Sequence, residues 1–334
     1  MGRVDCMVDA KKTGAGKKTG RPIVTVVMIT YNGVRYIDDA VGSLLGQSDR
    51  NFEVVMLDDC STDSTPEKVR EAREKFRKAG IACRTFRNER NRGTGYSWDR
   101  VSRLSETPWI MFLADDDMYL PRKVERTLGF IKSHPAAPWF YHDVVIMKEA
   151  TGEKKGYAIP QFNTGRDSMR HFFELALANC FMVHNAVAIR KDVYEKAGGF
   201  RDLRGVEDFD FWMRLIEQGF LPQKMEGEPL LVYRSRGLDA SRFPYQSYYG
   251  SFVQVMNDFL DRQGLAKTAD RETLALAREF RTGIYIAYLM RSARRGNFSL
   301  ALRAFGGMVR RDFSPVQFAK MSVNKFSRIF KGEN

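Results

Sequence analysis

Three consecutive carboxylates, Asp115, Asp116 and Asp117, follow a short apolar run in this sequence. The run, residues 109–114, is rich in large apolar side chains and is typical of a buried strand. Adjacent carboxylates repel one another unless something neutralises them. Mg²⁺ or Mn²⁺ would do so, since these ions take oxygen ligands and bridge protein carboxylates to the phosphates of a substrate. The alternative is a solvated turn whose acids cap a helix that begins near Pro121.

Polar residues also follow three other predicted strands, over residues 23–30, 52–57 and 81–86. Apolar residues at helical spacing separate these runs, and strand alternating with helix predicts a parallel sheet with right-handed crossovers. Ligands of such sheets bind in the crevice beyond the carboxyl ends of the strands. The residues that should meet at this edge are Tyr31, Asn32, Asp58, Asp59, Arg92, Gly93 and the three acids Asp115, Asp116 and Asp117.

The second half of the sequence mixes strands and helices less regularly. Glu207 and Asp208 begin a predicted helix that also contains Trp212. The other elements predicted there are a helix from Pro121, a strand over 139–147, a helix over 172–177, a strand over 182–189 that His184 and Asn185 interrupt, a last strand over 230–234, and helices from about residue 244 onward.

With these residues laid out, the chain resembles the inverting glycosyltransferases of family 2, which adopt the GT-A fold. The resemblance covers about residues 22–235, and its motifs occur in the family's order. They are Val24 to Asn32, Asp58 to Asp63, Asn91-Arg92-Gly93, Asp115-Asp116-Asp117 with Pro121, Gly198-Gly199-Phe200, and Glu207-Asp208. The resemblance implies an α/β fold with a mostly parallel, Rossmann-like central sheet flanked by helices, followed here by an α-helical C-terminal extension.

The resemblance also implies a role for each motif. The first three groups would hold the base and ribose of a nucleotide-sugar donor, and UDP is the expected nucleotide. The donor-binding residues would be Thr30, Tyr31, Asn32, Asp58, Asp59 (on the base), Arg92, Gly93, Asp115 and Asp116 (on the ribose), and Arg234. Asp117, with Asp115, would bind Mg²⁺ or Mn²⁺. Asp208 would be the catalytic base, with Glu207 orienting an acceptor that is a saccharide or a lipid-linked sugar.

Two positions depart from the family pattern. Many members have an acid where this chain has Ala114, and many carry a histidine after the last strand, where this chain has Arg234-Ser235-Arg236. Either arginine could meet the diphosphate electrostatically in place of the histidine.

Three residues are candidates for the acceptor side. His184 and Asn185 could line it, although a histidine in a strand is often simply packed in the core. Trp212 could stack on a sugar, but it lies in an apolar run that also suits the core.

The net charge of +13 lies at the two ends of the chain. Residues 1–22 carry six basic and two acidic residues, and residues 281–334 carry eleven and two, so the remainder is formally neutral. Basic ends on a neutral body favour binding to an anionic surface. Because the body shows no nucleic-acid-binding motif, a membrane is the expected partner rather than DNA or RNA. Ala319, Val323, Phe326 and Phe330, with lysines and an arginine between them, predict a basic amphipathic helix.

We therefore divide the chain into a disordered basic leader (1–21), a GT-A domain (22–238) and a basic helical region (239–334). No apolar run is long enough to span a bilayer. The four cysteines (Cys6, Cys60, Cys83, Cys180) form no CxxC pair and suit free thiols in a reducing compartment. The expected location is the cytoplasm, with peripheral attachment to the inner face of the plasma membrane as an option.

The function that these features favour is metal-dependent, inverting sugar transfer in surface polysaccharide or glycolipid synthesis. A nucleotidyltransferase is one alternative, but it would need a glycine-rich basic phosphate loop after the first strand, and Thr30 to Gly33 offers none. A catalytically inactive nucleotide-sugar-binding protein is the other, against which the intact Glu207-Asp208 pair argues.

Overall fold

The computed structural model describes residues 20–165, 167–178, 183–236, 244–261 and 269–312. Four parallel strands form one half of its larger sheet, in the spatial order β4-β1-β2-β3. The crossovers between them are helical, as the sequence predicts. The elements of this half are β1 (Val24–Thr30), α1 (Ile37–Leu45), β2 (Glu53–Asp58), α2 (Thr65–Lys78), β3 (Cys83–Arg87), α3 (Thr94–Arg103) and β4 (Trp109–Ala114).

The register of these strands brings their carboxyl ends level with one another. Thr30 lies opposite Asp58, and Ile29 lies opposite Ala114. β1 is buried along its whole length because helices cover both faces of a parallel sheet, which explains its continuous β-branched sequence. The residues that follow β1, β2 and β4 therefore emerge at a common edge.

The larger sheet continues beyond β4 in mixed orientation. β9 (Val187–Arg190) lies antiparallel between β4 and β6 (Trp139–Tyr141), and β10 (Gln223–Lys224) closes this edge. The strand predicted over 182–189 was wrong in its first half, because His184–Ala186 form a turn of 3₁₀-helix instead.

A second, four-stranded sheet has the order β5-β11-β7-β8. Its strands are β5 (Met118–Tyr119), β7 (Val144–Lys148), β8 (Lys154–Tyr157) and β11 (Leu231–Ser235). The single strand predicted over 139–147 was wrong, because the chain leaves one sheet after Tyr141 and enters the other at Val144. β5 follows the three acids directly, and it pairs antiparallel with the first two residues of β11, Leu231 and Val232.

The remaining helices pack around these sheets, and three of them form the described part of the C-terminal region, as predicted. They are α4 (Lys123–Ser133), α5 (Ser168–Leu177), α6 (Lys191–Lys196), α7 (Glu207–Glu217), α8 (Tyr245–Asp261), α9 (Arg271–Arg294) and α10 (Phe298–Asp312). Asp270 caps α9 by accepting a hydrogen bond from the Thr273 amide at 2.7 Å. None of the helices in the described ranges combines the length and the apolar character needed to cross a bilayer.

Two predictions concern residues that the description leaves out. The basic leader falls almost wholly on residues 1–19, and the amphipathic helix over 319–330 lies beyond residue 312. Of the cysteines, Cys60 and Cys83 are free thiols, as predicted, and the other two lie outside the described residues.

Candidate functional site

Asp115 lies at the floor of the strand-end edge, next to the end of β1. The Thr30 hydroxyl donates a hydrogen bond to its Oδ2 at 2.6 Å, and both residues are buried. The backbone of Gly33 packs against this pair so closely that a Cβ there would lie 1.9 Å from Asp115 Oδ2. The loop after β1 therefore needs glycine at this position.

Asp58 organises the loop that follows β2. Its Oδ1 accepts a hydrogen bond from the Ser61 amide at 3.0 Å, and its carboxylate pairs with Arg87 at 3.1 Å. Asn32 joins this loop to the one after β1, because its side-chain oxygen accepts a hydrogen bond from the Thr62 amide at 2.8 Å. Two neighbouring strand ends thus form one connected rim.

Asp59 holds the loop that precedes α3. Its carboxylate accepts hydrogen bonds from the backbone amides of Arg92 and Gly93, each at 2.8 Å, and from the Asn88 side chain at 2.6 Å. The Arg92 guanidinium lies 3.9 Å from the centre of the Tyr96 ring. Asp59, which we expect to contact the nucleotide base, therefore also fixes the conformation of the neighbouring loop.

Asp117, the acid expected to bind metal, is buried and hydrogen-bonded on both oxygens. Oδ1 accepts from the Arg234 amide at 2.8 Å, and Oδ2 accepts from the Asn185 side chain at 2.5 Å. Burial and the neighbouring Asp116 raise the pKa of Asp117 to about 7. Asn185 therefore supports the acid triplet from behind, whereas the sequence led us to expect it on the acceptor side.

A buried lysine lies behind Asn185, and the sequence analysis missed it. Lys123 Nζ donates hydrogen bonds to the Asn185 carbonyl and to His142 Nε2, each at 2.7 Å. Burial holds the pKa of this lysine well below its usual range, and nearby Asp117 acts in the opposite direction. A lysine in a helix normally suggests a solvated face, so no signal in the sequence could have found it.

Asp116 is the member of the triplet whose side chain reaches the surface. Its carboxylate forms an ion pair with Arg236, and its carbonyl accepts a hydrogen bond from Arg234 Nε at 2.9 Å. Arg234 also pairs with Asp39 at 2.8 Å. The two arginines that replace the family's histidine therefore both lie at the acid triplet.

The residues of this edge fit a divalent cation only in part. Among the residues that the structure describes, no three His, Cys, Asp or Glu side chains are arranged as a metal-binding group. Mg²⁺ commonly binds one or two carboxylates and completes its shell with substrate phosphates and water. Asp116 could supply such an oxygen if Arg236 moved, while Asp115 and Asp117 are buried behind it.

Glu207 and Asp208 begin α7, where the positive end of the helix dipole favours acids. Glu207 is buried, and its Oε2 has no hydrogen-bond partner among the described residues. Burial and repulsion from Asp208 raise the pKa of Glu207 to about 7. Burial likewise raises the pKa of Asp208 to about 6, although its side chain remains partly exposed. Such values suit a general base that works near neutral pH.

Tyr233, on β11, links the two groups of acids. Burial raises its pKa first, and the carboxylates of Asp117, Asp116 and Asp208 raise it further. Tyr233 is therefore within electrostatic range of the acid triplet on one side and of Asp208 on the other. The sequence analysis did not single out this tyrosine, because its position depends on the pairing of the second sheet.

Asp210, one helical turn into α7, fixes the direction of that helix. It is fully buried and pairs with Arg201 and with Arg214, the latter at 2.9 Å. Arg214 also donates a hydrogen bond to the carbonyl of Gly199 at 2.6 Å. A Cβ at Gly199, where φ is +67°, would lie 2.1 Å from Asp99 Oδ1, which explains the glycine in this motif.

His184 and Trp212 lie in the core. The His184 ring is 4.4 Å from that of Phe112 and 4.6 Å from that of Trp98, and burial lowers its pKa to about 3. Trp212 has no exposed surface and stacks on Trp139 at 5.0 Å. Trp212 therefore offers no surface to a sugar, whereas His184 is only partly buried, and its expected place on the acceptor side stays a prediction.

The strand-end rim, the acid triplet and the acidic helix start are the three groups of residues for which the family resemblance predicts roles in sugar transfer. Residues 25–198 match the domain described as glycosyl transferase family 2, which is more than half of the chain, and the protein belongs to that family. It is a glycosyltransferase, as predicted from the sequence.

Named relatives and solved structures agree with this assignment. The chain is 31% identical over 210 residues to an uncharacterized glycosyltransferase of Haemophilus influenzae, covering 62% of this chain and 67% of that protein. It is 26% identical over 216 residues to the putative teichuronic acid biosynthesis glycosyltransferase TuaG of Bacillus subtilis, covering 64% and 79%.

Two solved structures share the fold at 17% identity. S. aureus TarS in complex with UDP-GlcNAc superposes with a TM-score of 0.58, covering 84% of this chain and 90% of that one. The mannosyltransferase PcManGT of Pyrobaculum calidifontis, in complex with GDP-Man and Mn²⁺, gives 0.54, covering 94% and 82%. The predicted GT-A fold is confirmed.

Proposed function

We propose that this glycosyltransferase moves a sugar from a nucleotide-sugar donor to an acceptor hydroxyl with inversion at the anomeric carbon. The observation that supports the proposal is that Tyr233 lies within electrostatic range of both the acid triplet and Asp208, so that the proposed donor site and the proposed base would be neighbours. Inversion requires a base on the side opposite the leaving group, and two separated acid clusters supply both sides.

The donor would lie along the rim formed by the loops after β1, β2 and β3. UDP is the nucleotide we propose, with Asp59 and the loop that it holds beside the base and with Asp115 or Asp116 at the ribose. The other rim residues are Thr30, Tyr31, Asn32, Asp58, Arg92 and Gly93. TarS, a structural neighbour, was solved with UDP-GlcNAc, whereas PcManGT was solved with GDP-Man.

Asp116 would hold Mg²⁺ or Mn²⁺ together with the donor diphosphate, and Asp115 and Asp117 would lie behind it. A bound divalent cation would stabilise the charge that develops on the leaving diphosphate. Arg234 and Arg236 would add positive charge at the same place, because both already contact Asp116. We therefore propose Asp116 as the principal metal ligand, where the sequence favoured Asp117.

Asp208 would take the proton of the acceptor hydroxyl as that oxygen attacks the anomeric carbon. The bond from this carbon to the diphosphate breaks at the same time, so the nucleoside diphosphate leaves from the opposite face. General-base assistance of this kind typically contributes about 10² to 10⁴ in rate. Glu207, buried beside it, would orient the acceptor and keep the pKa of the pair near neutrality.

The acceptor that we propose is a saccharide or a lipid-linked sugar in the synthesis of surface polysaccharide or glycolipid, reached at the inner face of a membrane. TuaG, named for teichuronic acid biosynthesis, and the basic C-terminal region of this chain support this setting. The location rests on charge and on relatives, so it is tested separately from the chemistry.

A screen of UDP- and GDP-sugars by thermal shift, with and without Mn²⁺, tests the donor site. We expect stabilisation by one nucleotide sugar, and we expect Asp116→Ala to abolish the part that depends on Mn²⁺. The exposed Asp202 offers a matched control, since Asp202→Ala should leave the shift unchanged. An equal Mn²⁺ effect in both variants would reject the ligand role of Asp116.

Product analysis then separates the proposal from its alternatives. Transfer releases a nucleoside diphosphate, whereas a nucleotidyltransferase would release pyrophosphate from a nucleoside triphosphate. A nucleotide-sugar-binding protein without activity would show the thermal shift but no release of nucleoside diphosphate with any acceptor.

A further inference from the structure

The last described helix, α10, is held tightly against α9 along one side. Ala301, Ala304 and Met308 are buried in this contact. A Cβ at Gly307 would lie 2.8 Å from the ring of Tyr285 on α9, so the two helices approach closely at this point. Small residues along the contact leave α10 little freedom to rotate, and they fix which side faces outward.

The outward side carries a line of exposed apolar residues. Phe298, Leu302, Phe305 and Val309 are 68%, 70%, 44% and 45% exposed. Their spacing of four, three and four residues places them on one line, which at 1.5 Å per residue is about 16 Å long. We call these four residues the exposed apolar line. Large contiguous apolar surface of this kind commonly marks an interaction site.

Arginines outnumber acids on and next to the helix that carries the exposed apolar line, where Asp312 ends the helix and Asp261 pairs with Arg311. Residues 281–311 contain seven arginines and no acid. Arg303 and Arg310 are exposed on α10 and lie roughly 120° around the helix from the line, at 100° per residue. Arg294 and Arg295 are exposed just before the helix begins. Arg311 pairs with Asp261, so it does not contribute in the same way.

We propose that the exposed apolar line, with Arg303 and Arg310 at its flank, is the surface by which this protein docks on an anionic lipid bilayer. The apolar side chains would enter the boundary between headgroups and acyl chains, and the guanidinium groups would meet the lipid phosphates. This inference locates the membrane contact suggested above, and it does not depend on the transfer chemistry.

Charge decides between a bilayer and a second copy of the chain. In a two-fold dimer through α10 the same patch would face itself, so Arg303 and Arg310 of one copy would approach Arg303 and Arg310 of the other, while the one acid of this helix, Asp312, is its last residue. The segment after residue 312 is also basic, with Lys320, Lys325 and Lys331, so it is not complementary to this face. Anionic lipid is the complementary partner.

The proposed surface is connected to the candidate active site through packed helices. Tyr249 of α8 stacks on Tyr288 of α9 at 5.5 Å. Phe252 of α8 packs against Phe209, the residue after Asp208, with ring centres 5.2 Å apart, which places α8 beside the proposed base. A bilayer against α10 would therefore lie on the side of the molecule that α8 and α9 join to Asp208, where a lipid-linked acceptor would arrive.

Flotation of the full-length protein with vesicles tests the proposal. We compare vesicles of phosphatidylcholine alone with vesicles that also contain 30 mol% phosphatidylglycerol. Leu302→Ser with Phe305→Ser should lower partitioning at least ten-fold on the anionic vesicles. Arg303→Ala with Arg310→Ala should lower it roughly 25-fold at low salt, because each basic residue near an anionic surface contributes about five-fold, and salt should weaken this difference.

Each double variant has a matched control. Ile23→Ser removes another exposed apolar residue, 37% exposed, and Arg70→Ala with Arg77→Ala removes two exposed arginines from α2. Both controls should partition like the wild type. Transfer to a soluble acceptor should be unchanged in all these variants. This assay therefore distinguishes a loss of catalysis from a loss of vesicle binding.

Three outcomes would overturn the proposal. One is equal partitioning of the wild type and both α10 variants. Another is that the wild type sediments as a dimer and the variant Leu302→Ser with Phe305→Ser sediments as a monomer, while both bind vesicles equally. The last is loss of binding in Phe326→Ser with Phe330→Ser while the α10 variants still bind, which would assign the contact to the following segment.

Discussion

Replacement of Asp208 by asparagine tests the proposed base most directly. The variant keeps the shape of the side chain and an oxygen that can accept the hydrogen bond from the Phe209 amide, which is 2.7 Å long in the wild type. It removes the group that would take the acceptor proton. We expect kcat to fall by about 10² to 10⁴, the usual contribution of a general base, while donor affinity changes little.

The pH dependence of kcat/KM in the wild type is a second quantitative test of the proposed base. A base must be deprotonated to act, and burial raises the pKa of Asp208 to about 6. At pH 5 only about one tenth of the molecules would carry the active carboxylate, so kcat/KM should fall about ten-fold for each pH unit below 6.

The assay measures release of nucleoside diphosphate with the sugar donor found by the thermal-shift screen, from pH 4.5 to pH 8.5. Asp202→Asn, an exposed acid in the preceding loop, is the control and should retain both the rate and the pH profile. Near-wild-type turnover in Asp208→Asn, or an unchanged acidic limb in its residual activity, would refute the assignment of the base.

Three further substitutions test the surroundings of the site. Glu207→Gln should raise the thermal stability at pH 8 more than at pH 5. The raised pKa of Glu207 means that the folded state binds this proton more tightly than the unfolded state does. The wild type therefore loses stability, on the order of 3 kcal/mol, as the pH rises from about 4.5 to above 7. A pH-independent difference in melting temperature would contradict this. Asp210→Asn should lower the free energy of unfolding by about 3 to 5 kcal/mol in urea titrations, because it leaves the buried Arg214 without its carboxylate and leaves Arg201 with Asp258 alone; a loss below about 1 kcal/mol would count against it. Gly33→Ala should weaken donor binding in calorimetry, because the new methyl group would displace Asp115, and unaltered affinity would show that this loop relaxes freely.

The parallel half of the sheet was predictable because its signal is local. Strands buried on both faces, such as β1, are continuous apolar runs, and the polar residues that follow them must emerge at the carboxyl edge. The meeting of Thr30, Asp58 and Asp115 at one rim followed from this rule and from the family motifs, and the structure places them together.

The remaining elements depend on contacts between distant residues. Nothing in the run 139–147 indicates that Tyr141 and Val144 belong to different sheets, because hydrophobic periodicity does not identify a strand's partners. For the same reason the sequence around His184 predicts an interrupted strand, although His184 begins a 3₁₀ turn. Buried charges such as Lys123 become visible only when the tertiary contacts that enclose them are known.

Asp59 anchors a loop and, in the proposed donor site, would also contact the nucleotide base, and these two roles together would limit how donor preference in this protein could be re-engineered. Because its two oxygens anchor the backbone of Arg92 and Gly93, a substitution meant to accept a different base would also release the loop that forms the wall of the pocket. Swapping uracil for guanine recognition would thus require rebuilding the segment from Asn88 onward as a unit, and single-site libraries at Asp59 should yield mostly inactive variants.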